Sequence, residues 1–524
     1  MLAWSLFAAY LLGTSYLGWL GFRRTRDFNA FAIGRGDLSP LVVGVTLAAS
    51  TASAATFIIN PGFVYVDGLA AWIHFVPATV LGFCSMLFLL SFRFRRIGAE
   101  AGALTLPHWI GKRYRSQAFA LYFAIANLLV LAFVVLLVGG ISIVMQSLLG
   151  VSNAVALAIT LVFVTGYVFM GGTYAHVFTN LLQGTLMIGV AVAILATGLP
   201  LLLGEPGLAD ALRAVDPALL APVNREGQLF NDVFSVYVAG FLVGATITCQ
   251  PHILTKALYV RTDRAVRSYL LVFTVIFVLF MLLVSVGFFA RLVLPAEALI
   301  DPATGAFRQD LVMTAYLRHV FPEWGFTVVS VVLLAAAMST LDGLLVALST
   351  IAANDLLLPL SERLAAGRLS PEARQRFAYR ASHAVLLLVA GLTFMICLDP
   401  PRLLGIFGQV GVYGLAVAAV PPLVAGVLFR RVSLPLVWAA SAGALAVHLG
   451  LYFFGARLLP GVPLTFANPG VTVSLAVLVV VLPALLLVWL GARRATGAGD
   501  VGQPAAGAGE GPPRAEAASD VPAA

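Results

Sequence analysis

The sequence predicts an all-α membrane protein that crosses the bilayer many times, and three observations lead to this fold class. Hydrophobic residues make up 61% of the 524 residues and charged residues only 10%, whereas an ordinary soluble domain carries about 25% charged residues. Apolar stretches of about 20 residues, long enough to cross a bilayer as a helix, recur along the chain. Short, arginine-rich gaps separate them. This pattern excludes a conventional soluble enzyme, a disordered protein and a disulfide scaffold.

Thirteen apolar stretches predict thirteen spans. The first covers residues 2–21, and Arg23, Arg24 and Arg26 follow it. A signal peptide has its positive charge before the apolar stretch, so this order predicts a retained helix. The other predicted spans are 41–63, 70–92, 118–149, 153–170, 174–203, 233–252, 267–293, 325–351, 381–398, 403–429, 433–454 and 469–492.

The cations predict how the chain is oriented in the cell (inner) membrane. With the N-terminus outside the cytoplasm and the C-terminus inside, the cytoplasmic gaps hold 24 of the 31 lysines and arginines. Such an excess is typical of cytoplasmic loops. The net charge of +8 therefore indicates membrane topology and a lipid partner, and we expect no nucleic-acid partner.

The chain shows no enzyme motif and has no room for a soluble domain. It lacks a phosphate-binding glycine loop, HExxH and GxSxG, and its seven histidines have no metal-ligand spacing. The longest gaps, 204–232, 294–324 and 352–380, are each shorter than a small domain of roughly 50 residues. Function must therefore lie in the spans, and we expect no enzyme.

The second and seventh spans are interrupted by proline beside polar residues. The second contains Asn60-Pro61-Gly62, and the seventh contains Thr248-Cys249-Gln250-Pro251. Either proline alone could mark an ordinary kink. Two broken helices five spans apart, however, are typical of transporters built from inverted repeats, with a binding site near the midplane. We therefore expect breaks around Asn60–Gly62 and Thr248–Pro251.

The ninth span carries hydroxyls and an acid. Ser339 and Thr340 lie among alanines and offer oxygen ligands for a hard cation, although small residues also serve helix packing. Asp342 is the only acid well inside a predicted span. An acid at membrane depth is costly and usually marks an ion or proton path.

Four segments resemble a known family. They are Arg24-Thr25-Arg26-Asp27-Phe28 with Gly34-Arg35-Gly36; Gly171-Gly172-Thr173-Tyr174-Ala175 with Phe178-Thr179-Asn180 and Gln183; Gln250-Pro251-His252-Ile253-Leu254; and Ala336-Ala337-Met338-Ser339-Thr340-Leu341. Together they resemble the sodium:solute symporter family, whose members include proline, pantothenate, acetate and sugar permeases. The resemblance covers about residues 1–430.

The resemblance implies a leucine-transporter-like core of two inverted five-helix repeats, formed by the second to sixth and the seventh to eleventh spans. The predicted organisation is then a first helix and cytoplasmic loop (1–40), a first repeat (41–203), an extracytoplasmic loop (204–232) and a second repeat (233–429). Beyond the resemblance, the apolar stretches predict two peripheral helices (430–495), and a composition rich in Ala, Gly, Pro and Glu predicts a disordered cytoplasmic tail (496–524).

The resemblance also implies where sodium, the coupling ion, binds. Matched residue by residue, the principal sodium site has the backbone carbonyls of Ala49, Ala52 and Ala336 and the hydroxyls of Ser339 and Thr340 as ligands. Oxygens from two moving elements would couple ion binding to their relative position.

One departure from the family concerns acids. Many members have an Asp where this chain has Asn180, while this chain has Asp342 near the sodium segment. The pair could be a second sodium site or a proton site. Alternatively, both residues are structural.

The solute is expected between the broken helices. The candidate residues are Thr56, Asn60, Gly62, Thr248, Gln250, Phe407, Gln409 and Tyr413. The function that these features favour is sodium-coupled symport of a small organic solute, such as an amino acid or a monocarboxylate, by alternating access. The alternatives are a proton-coupled transporter on the same scaffold and a membrane sensor that has lost transport.

Overall fold

The fold is helical over the residues that the computed structural model describes, which are 2–34, 38–53, 55–227, 229–300, 305, 307–364, 370–401 and 404–497. Within these ranges, one isolated β-bridge joins Ile300 and Phe307. Arg35 and Gly36 of the loop motif lie outside the described residues, as does the predicted tail from residue 498 onward.

Nine helices in the described part of the chain are long and apolar enough to cross a membrane, or up to 11 if each of two bent helix pairs is counted as one span. We number the long helices in chain order: α1 (Leu2–Arg24), α2a (Pro40–Thr51) and α2b (Ala55–Asp67), α3 (Leu69–Ala101), α4 (Gln117–Leu149), α5 (153–171), α6 (173–196), α7a (Phe234–Ile247) and α7b (Pro251–Tyr259), α8 (Asp263–Val293), α9 (Glu323–Glu362), α10 (Pro371–Leu398), α11 (Leu404–Leu428), α12 (Leu434–Leu458) and α13 (Pro469–Arg493). Shorter helices are Phe28–Ile33, Leu106–Tyr114, Leu199–Leu203, Leu208–Val215 and Val312–Val320.

Polar caps begin several of these helices. The Ser39 side chain accepts a hydrogen bond from the Val42 amide at the start of α2a, and Thr262 and Ser370 do the same for α8 and α10. Side-chain oxygens at this position satisfy amides that have no partner within the helix. These three long helices therefore start where an apolar stretch follows a capping residue.

Both predicted interruptions are present, but one lies elsewhere than expected. α7a and α7b meet at 64°, between Ile247 and Pro251. α2a and α2b meet at 55° between Thr51 and Ala55, before the predicted Asn60–Gly62. A π-helical turn, Ala55–Ile59, ends two residues before Pro61. Because such a turn shifts the hydrogen-bond pattern, the helix continues through the proline.

A glycine separates α5 from α6. Gly172 has φ of 51° and ψ of −134°, a backbone conformation that residues other than glycine rarely adopt. A Cβ atom here would lie 2.4 Å from Cδ2 of Phe31, in the short helix after α1. The break thus falls between the predicted spans 153–170 and 174–203, where the loop after α1 packs.

The helices α9 and α11 form the centre of the molecule, and almost all of their residues are buried. α1 and α12 lie at the periphery, with many apolar side chains exposed. A helix that is apolar on all sides is suited to such a central position. Ser339 and Asp342, halfway along α9, are therefore surrounded by protein on every side.

Candidate functional site

Four oxygen atoms from α2a and α9 define the candidate ion site. Oγ of Ser339 lies 2.8 Å from the carbonyl oxygen of Ala49 and 2.7 Å from that of Ala336. Ala336, Ser339 and Thr340 share one face of α9, because positions three and four residues apart are neighbours on a helix. The Thr340 hydroxyl is buried and has no hydrogen-bond partner among the described residues.

This cluster has more acceptors than protons. The Ser339 hydroxyl has one proton and can donate it to only one of the two carbonyl oxygens at a time. Ala52, where α2a ends, is fully buried, and its amide donates to Ala48 O at 2.9 Å. Its φ and ψ of −80° and 84° turn the chain out of the helix. Carbonyls at such a break serve as sodium ligands in transporters, so the residues present fit a sodium ion.

Asn180 stabilises the ion site from α6. Its Nδ2 donates to the carbonyl oxygen of Ser339 and to Oγ of Ser50, both at 2.8 Å. It therefore joins α9 to α2a directly beside the oxygen cluster. Gln183, further along the same helix, donates instead to the hydroxyl of Tyr10 in α1, at 2.8 Å.

Asp342 lies one turn further along α9 and is completely buried. Its Oδ1 is 2.8 Å from Nδ1 of His176, and its Oδ2 accepts from the hydroxyls of Tyr167 at 3.0 Å and Thr179 at 3.2 Å. Asp342 thus contacts the sixth helix through His176 and Thr179. The bonds of Asn180 go instead to Ser339 and Ser50.

Lys256 was not predicted as part of this region. The sequence places it in a cytoplasmic gap as a topology signal, but the structure buries it at 1% exposure. The reason is that α7b continues to Tyr259 and carries Lys256 between α2a and α6. Nζ lies 2.8 Å from Nε2 of His176, 2.9 Å from Oγ of Ser50 and 3.3 Å from the carbonyl oxygen of Thr46.

A cavity of about 90 Å³ lies between the two broken helices. It is lined by Ser50, Thr51, Ser53, Ala55, Thr56, Asn60, Phe75, Thr79, Phe133, Val243, Ile247, Gln250, His252, Ile253, Phe277, Met281, Gln409, Val412 and Tyr413. Three polar atoms of its wall are buried and have no hydrogen-bond partner in the described part of the protein: Oδ1 of Asn60, Oε1 of Gln250 and Nδ1 of His252.

Five of the eight candidate solute residues line this cavity: Thr56, Asn60, Gln250, Gln409 and Tyr413. The other three lie elsewhere. Gly62 packs against the backbone of Gln309, so closely that a Cβ atom would come 2.1 Å from its oxygen. The Thr248 hydroxyl faces carbonyl oxygens, 3.2 Å from that of Phe83, and Phe407 is exposed on the outside of the helix bundle.

A second, smaller cavity of about 20 Å³ adjoins the first at His252. Its walls come from α6, α7b and α9 and from Leu104–Leu106, the segment after α3. Ala347 and Thr350 line it from α9, and the Thr350 hydroxyl has no partner among the described residues.

Comparisons with known proteins agree with this architecture. The model of the sodium:solute symporter family matches residues 31–450. The sodium/pantothenate symporter of Haemophilus influenzae is 26% identical over 405 residues, covering 76% of this chain and 79% of the relative. The sodium/proline symporter of Salmonella typhimurium is 25% identical over 437 residues, covering 82% and 83%.

A solved structure shares the fold. A Na⁺-coupled sialic acid symporter, in a substrate-bound outward-open state, superposes with a TM-score of 0.70 at 16% identity, covering 93% of this chain and 98% of that one. The family match extends over well more than half of the chain and confirms the resemblance found in the sequence. The chain therefore belongs to the sodium:solute symporter family, whose members are sodium-coupled transporters and not enzymes.

Proposed function

We propose that this protein couples the entry of sodium to the uptake of a small organic solute by alternating access. The observation that carries the proposal is the acceptor-rich oxygen cluster at the contact between α2a and α9. Buried oxygens without enough protons are stabilised by a cation, and sodium prefers oxygen ligands. The proposed ligands are the carbonyls of Ala49, Ala52 and Ala336 and the hydroxyls of Ser339 and Thr340.

Thirteen spans are proposed for the membrane topology. The nine apolar helices become ten when 153–203 is divided at Gly172, and the two bent pairs and α1 supply three more. We propose the inverted repeats at 41–203 and 233–429, with the loop 204–232 between them and the peripheral helices at 430–495. An odd number of spans agrees with an N-terminus outside the cytoplasm and a C-terminus inside, the orientation that the cations favour.

The solute is proposed to carry hydrogen-bond donors and no net positive charge. Asn60 Oδ1 and Gln250 Oε1 are buried acceptors without partners in the described structure, so a bound N–H or O–H group would satisfy them. The cavity has no Asp, Glu, Lys or Arg among its described lining residues. Proline and pantothenate, named for two relatives, both combine such donors with a carboxylate. An amino acid or a monocarboxylate is therefore the proposed class.

Uptake into proteoliposomes tests the function. The purified protein is reconstituted, and labelled proline, pantothenate, sialic acid and glucose are supplied under either a sodium gradient or a pH gradient. We expect a sodium gradient to drive accumulation of an amino acid or a monocarboxylate. Accumulation driven by the pH gradient alone, without sodium, would contradict the proposal.

The double substitution Ser339→Ala and Thr340→Ala tests the ion site. We expect the sodium concentration for half-maximal uptake to rise on the order of a hundredfold or more, because hydrogen-bonding groups facing an ion contribute about 1.5–3 kcal/mol each. Ser349→Ala is the matched control, since this buried serine of α9 donates to Val346 O in its own helix. An unchanged sodium dependence in the double variant, with normal insertion, would refute these two ligands.

A further inference from the structure

Lys256 is an unusual residue in this chain because it is a fully buried cation at membrane depth. Only one other lysine exists, Lys112, and that side chain is exposed in the short helix Leu106–Tyr114. A buried charge is costly and is retained only where it is paired and hydrogen-bonded. The groups around Lys256 therefore indicate what it does.

The hydrogen bonds of Lys256 match a charged ammonium group. An ammonium has three N–H donors, and Nζ has three acceptors: His176 Nε2 at 2.8 Å, Ser50 Oγ at 2.9 Å and Thr46 O at 3.3 Å. The Ser50 hydroxyl is itself free to accept, because it donates its proton to Thr46 O at 2.7 Å.

His176 connects the Lys256 ammonium to Asp342 through two hydrogen bonds. When Nε2 of His176 accepts from Lys256, the proton of the neutral ring is on Nδ1, which lies 2.8 Å from Oδ1 of Asp342. The carboxylate accepts that proton's hydrogen bond and a second one from the Tyr167 hydroxyl at 3.0 Å. In both hydrogen bonds, Lys256 to His176 and His176 to Asp342, a donor then faces an acceptor. The ammonium at one end of the series is positive, and the carboxylate at the other end is negative.

We propose that the Lys256 ammonium is the permanent counter-cation of Asp342, acting through His176, so that the transporter binds a single sodium ion in each cycle. An ionised carboxylate in α9 needs a cation nearby, and here the chain supplies one. The inference rests on the proposed sodium-coupled function and adds to it the stoichiometry and the positioning residue Lys256.

The same bonds hold α7b in place. Lys256 contacts α2a through Ser50 and Thr46 and α6 through His176, which is bonded to α9 through Asp342. The Nζ atom also lies 6.0 Å from the ring centroid of Tyr259. One side chain thus joins the inner half of the seventh span to the helix that carries the sodium ligands.

Sodium binding to Lys256→Gln tests the proposal. Radioactive sodium is bound at equilibrium to purified wild type, Lys256→Gln, the double variant Lys256→Gln with Asp342→Asn, and the control Lys112→Gln. We expect one sodium per wild-type protein and per control. Without the ammonium, Asp342 is left uncompensated, so Lys256→Gln should bind a second sodium and show a sigmoidal concentration dependence. The double variant should return to one.

The outcomes distinguish a failure of the proposed sodium-coupled function from a failure of the proposed role of Lys256. A wild type that binds no sodium contradicts the proposed function itself. A wild type that binds two ions, or a folded Lys256→Gln that binds one, overturns the role of Lys256 and leaves the sodium-coupled function standing. The double variant must recover the single-ion behaviour, because both members of the charge pair are gone.

A measurement on the unmodified residue covers the case in which Lys256→Gln does not fold. In protein labelled with ¹⁵N-lysine, only two side-chain nitrogens are visible, and Lys112→Gln removes one of them. We expect the remaining nitrogen to show the chemical shift of a charged ammonium at neutral pH. The shift of a neutral amine would overturn the proposal.

Discussion

Buried polar atoms without partners give the clearest functional information at the scale of single residues. A buried acceptor left unsatisfied costs about 1–3 kcal/mol, so such atoms are rare unless a ligand satisfies them. The Thr340 hydroxyl lies at the ion site, whereas Asn60 Oδ1 and Gln250 Oε1 face the larger cavity. We therefore propose that Thr340 belongs to the ion site and that Asn60 and Gln250 belong to the solute site.

Gln250→Leu tests the second group. Loss of one hydrogen bond to the solute, worth about 1–1.5 kcal/mol, should raise the KM for the transported solute roughly tenfold while the sodium dependence stays the same. The measurement is uptake at saturating sodium over a range of solute concentrations.

Thr248→Val is the matched control for Gln250→Leu. Thr248 lies two residues away on the same broken helix, but its hydroxyl faces carbonyl oxygens of Phe83 and Gly244 and it does not line the cavity. Its KM should remain close to that of the wild type. An equal increase of KM in both variants would show that the substitutions disturb the broken helix and do not remove a contact with the solute.

The residues of the predicted sodium site lie close together in the structure where a short motif groups them. Ala336, Ser339 and Thr340 share a helix face because of their spacing alone, and the nearness of Ala49 follows from the family resemblance. Lys256 could not be found in this way, since it follows a helix break and precedes arginines at a membrane boundary. Whether Lys256 is buried in the helix bundle or lies in the loop after it depends on how far α7b extends. The length of α7b depends in turn on how it packs against neighbouring helices. Its presence in the apolar segment Pro251–Val260 was the available signal.

At the scale of helices, the arginines counted as topology signals also cap a helix end. Nε of Arg113 donates to Gly426 O at 2.8 Å, and Nη1 of Arg93 donates to Leu428 O at 3.1 Å. The last carbonyls of α11 have no partners within the helix and carry partial negative charge, so cations stabilise them. The same side chains that predict the orientation of the chain in the membrane therefore also stabilise the end of its central helix α11.

The existence of helix breaks is predictable, but their positions are less so. Proline and glycine signal both breaks, and the one at α7 lies where the sequence predicts. In α2 the π-helical turn Ala55–Ile59 precedes Pro61, and the bend falls among the small residues before it. No sequence pattern distinguishes a π turn from an α turn here, because the choice depends on the neighbouring helices.

Gly172→Ala tests the break between α5 and α6. We expect a loss of at least about 1–3 kcal/mol of stability, since alanine is strained at this φ and ψ and its Cβ would overlap Phe31. Thermal unfolding of the purified protein in detergent gives the measurement, and a lower Tm and a lower yield are expected.

Gly189→Ala is the control for this glycine. It lies on α6 with nothing within 4 Å of its Cβ position. In a helix interior alanine is favoured over glycine, so this variant should be as stable as the wild type or slightly more stable. A Gly172→Ala protein with a wild-type Tm would show that the break adapts to a side chain.

At the scale of the whole molecule, the candidate ion site and the smaller cavity at His252 depend on the same arrangement of helices. We call this cavity the inner cavity, because the proposed topology places it on the cytoplasmic side. The proposed sodium ligands of α2a and α9 are in contact here, with Ser339 Oγ 2.8 Å from Ala49 O. In this arrangement the inner cavity beside Ala347 measures only about 20 Å³, too small to hold a small organic solute. A ligand favours the state in which all of its contacts are made, so sodium should favour this narrow state.

A cysteine at position 347 makes this coupling measurable. Ala347→Cys is prepared in a background in which Cys84, Cys249 and Cys397 are alanine, and the purified protein reacts with a bulky thiol reagent in detergent. We expect slower labelling in sodium than in an equal concentration of potassium, because sodium holds α2a against α9 and keeps the cavity narrow.

Arg431→Cys, in an exposed loop away from the cavity, should react at the same rate in both salts. Adding Ser339→Ala and Thr340→Ala should abolish the difference at position 347. If labelling there is equally fast in both salts while sodium still drives uptake, sodium binding does not control the inner cavity, and the coupling between these two regions must take another route.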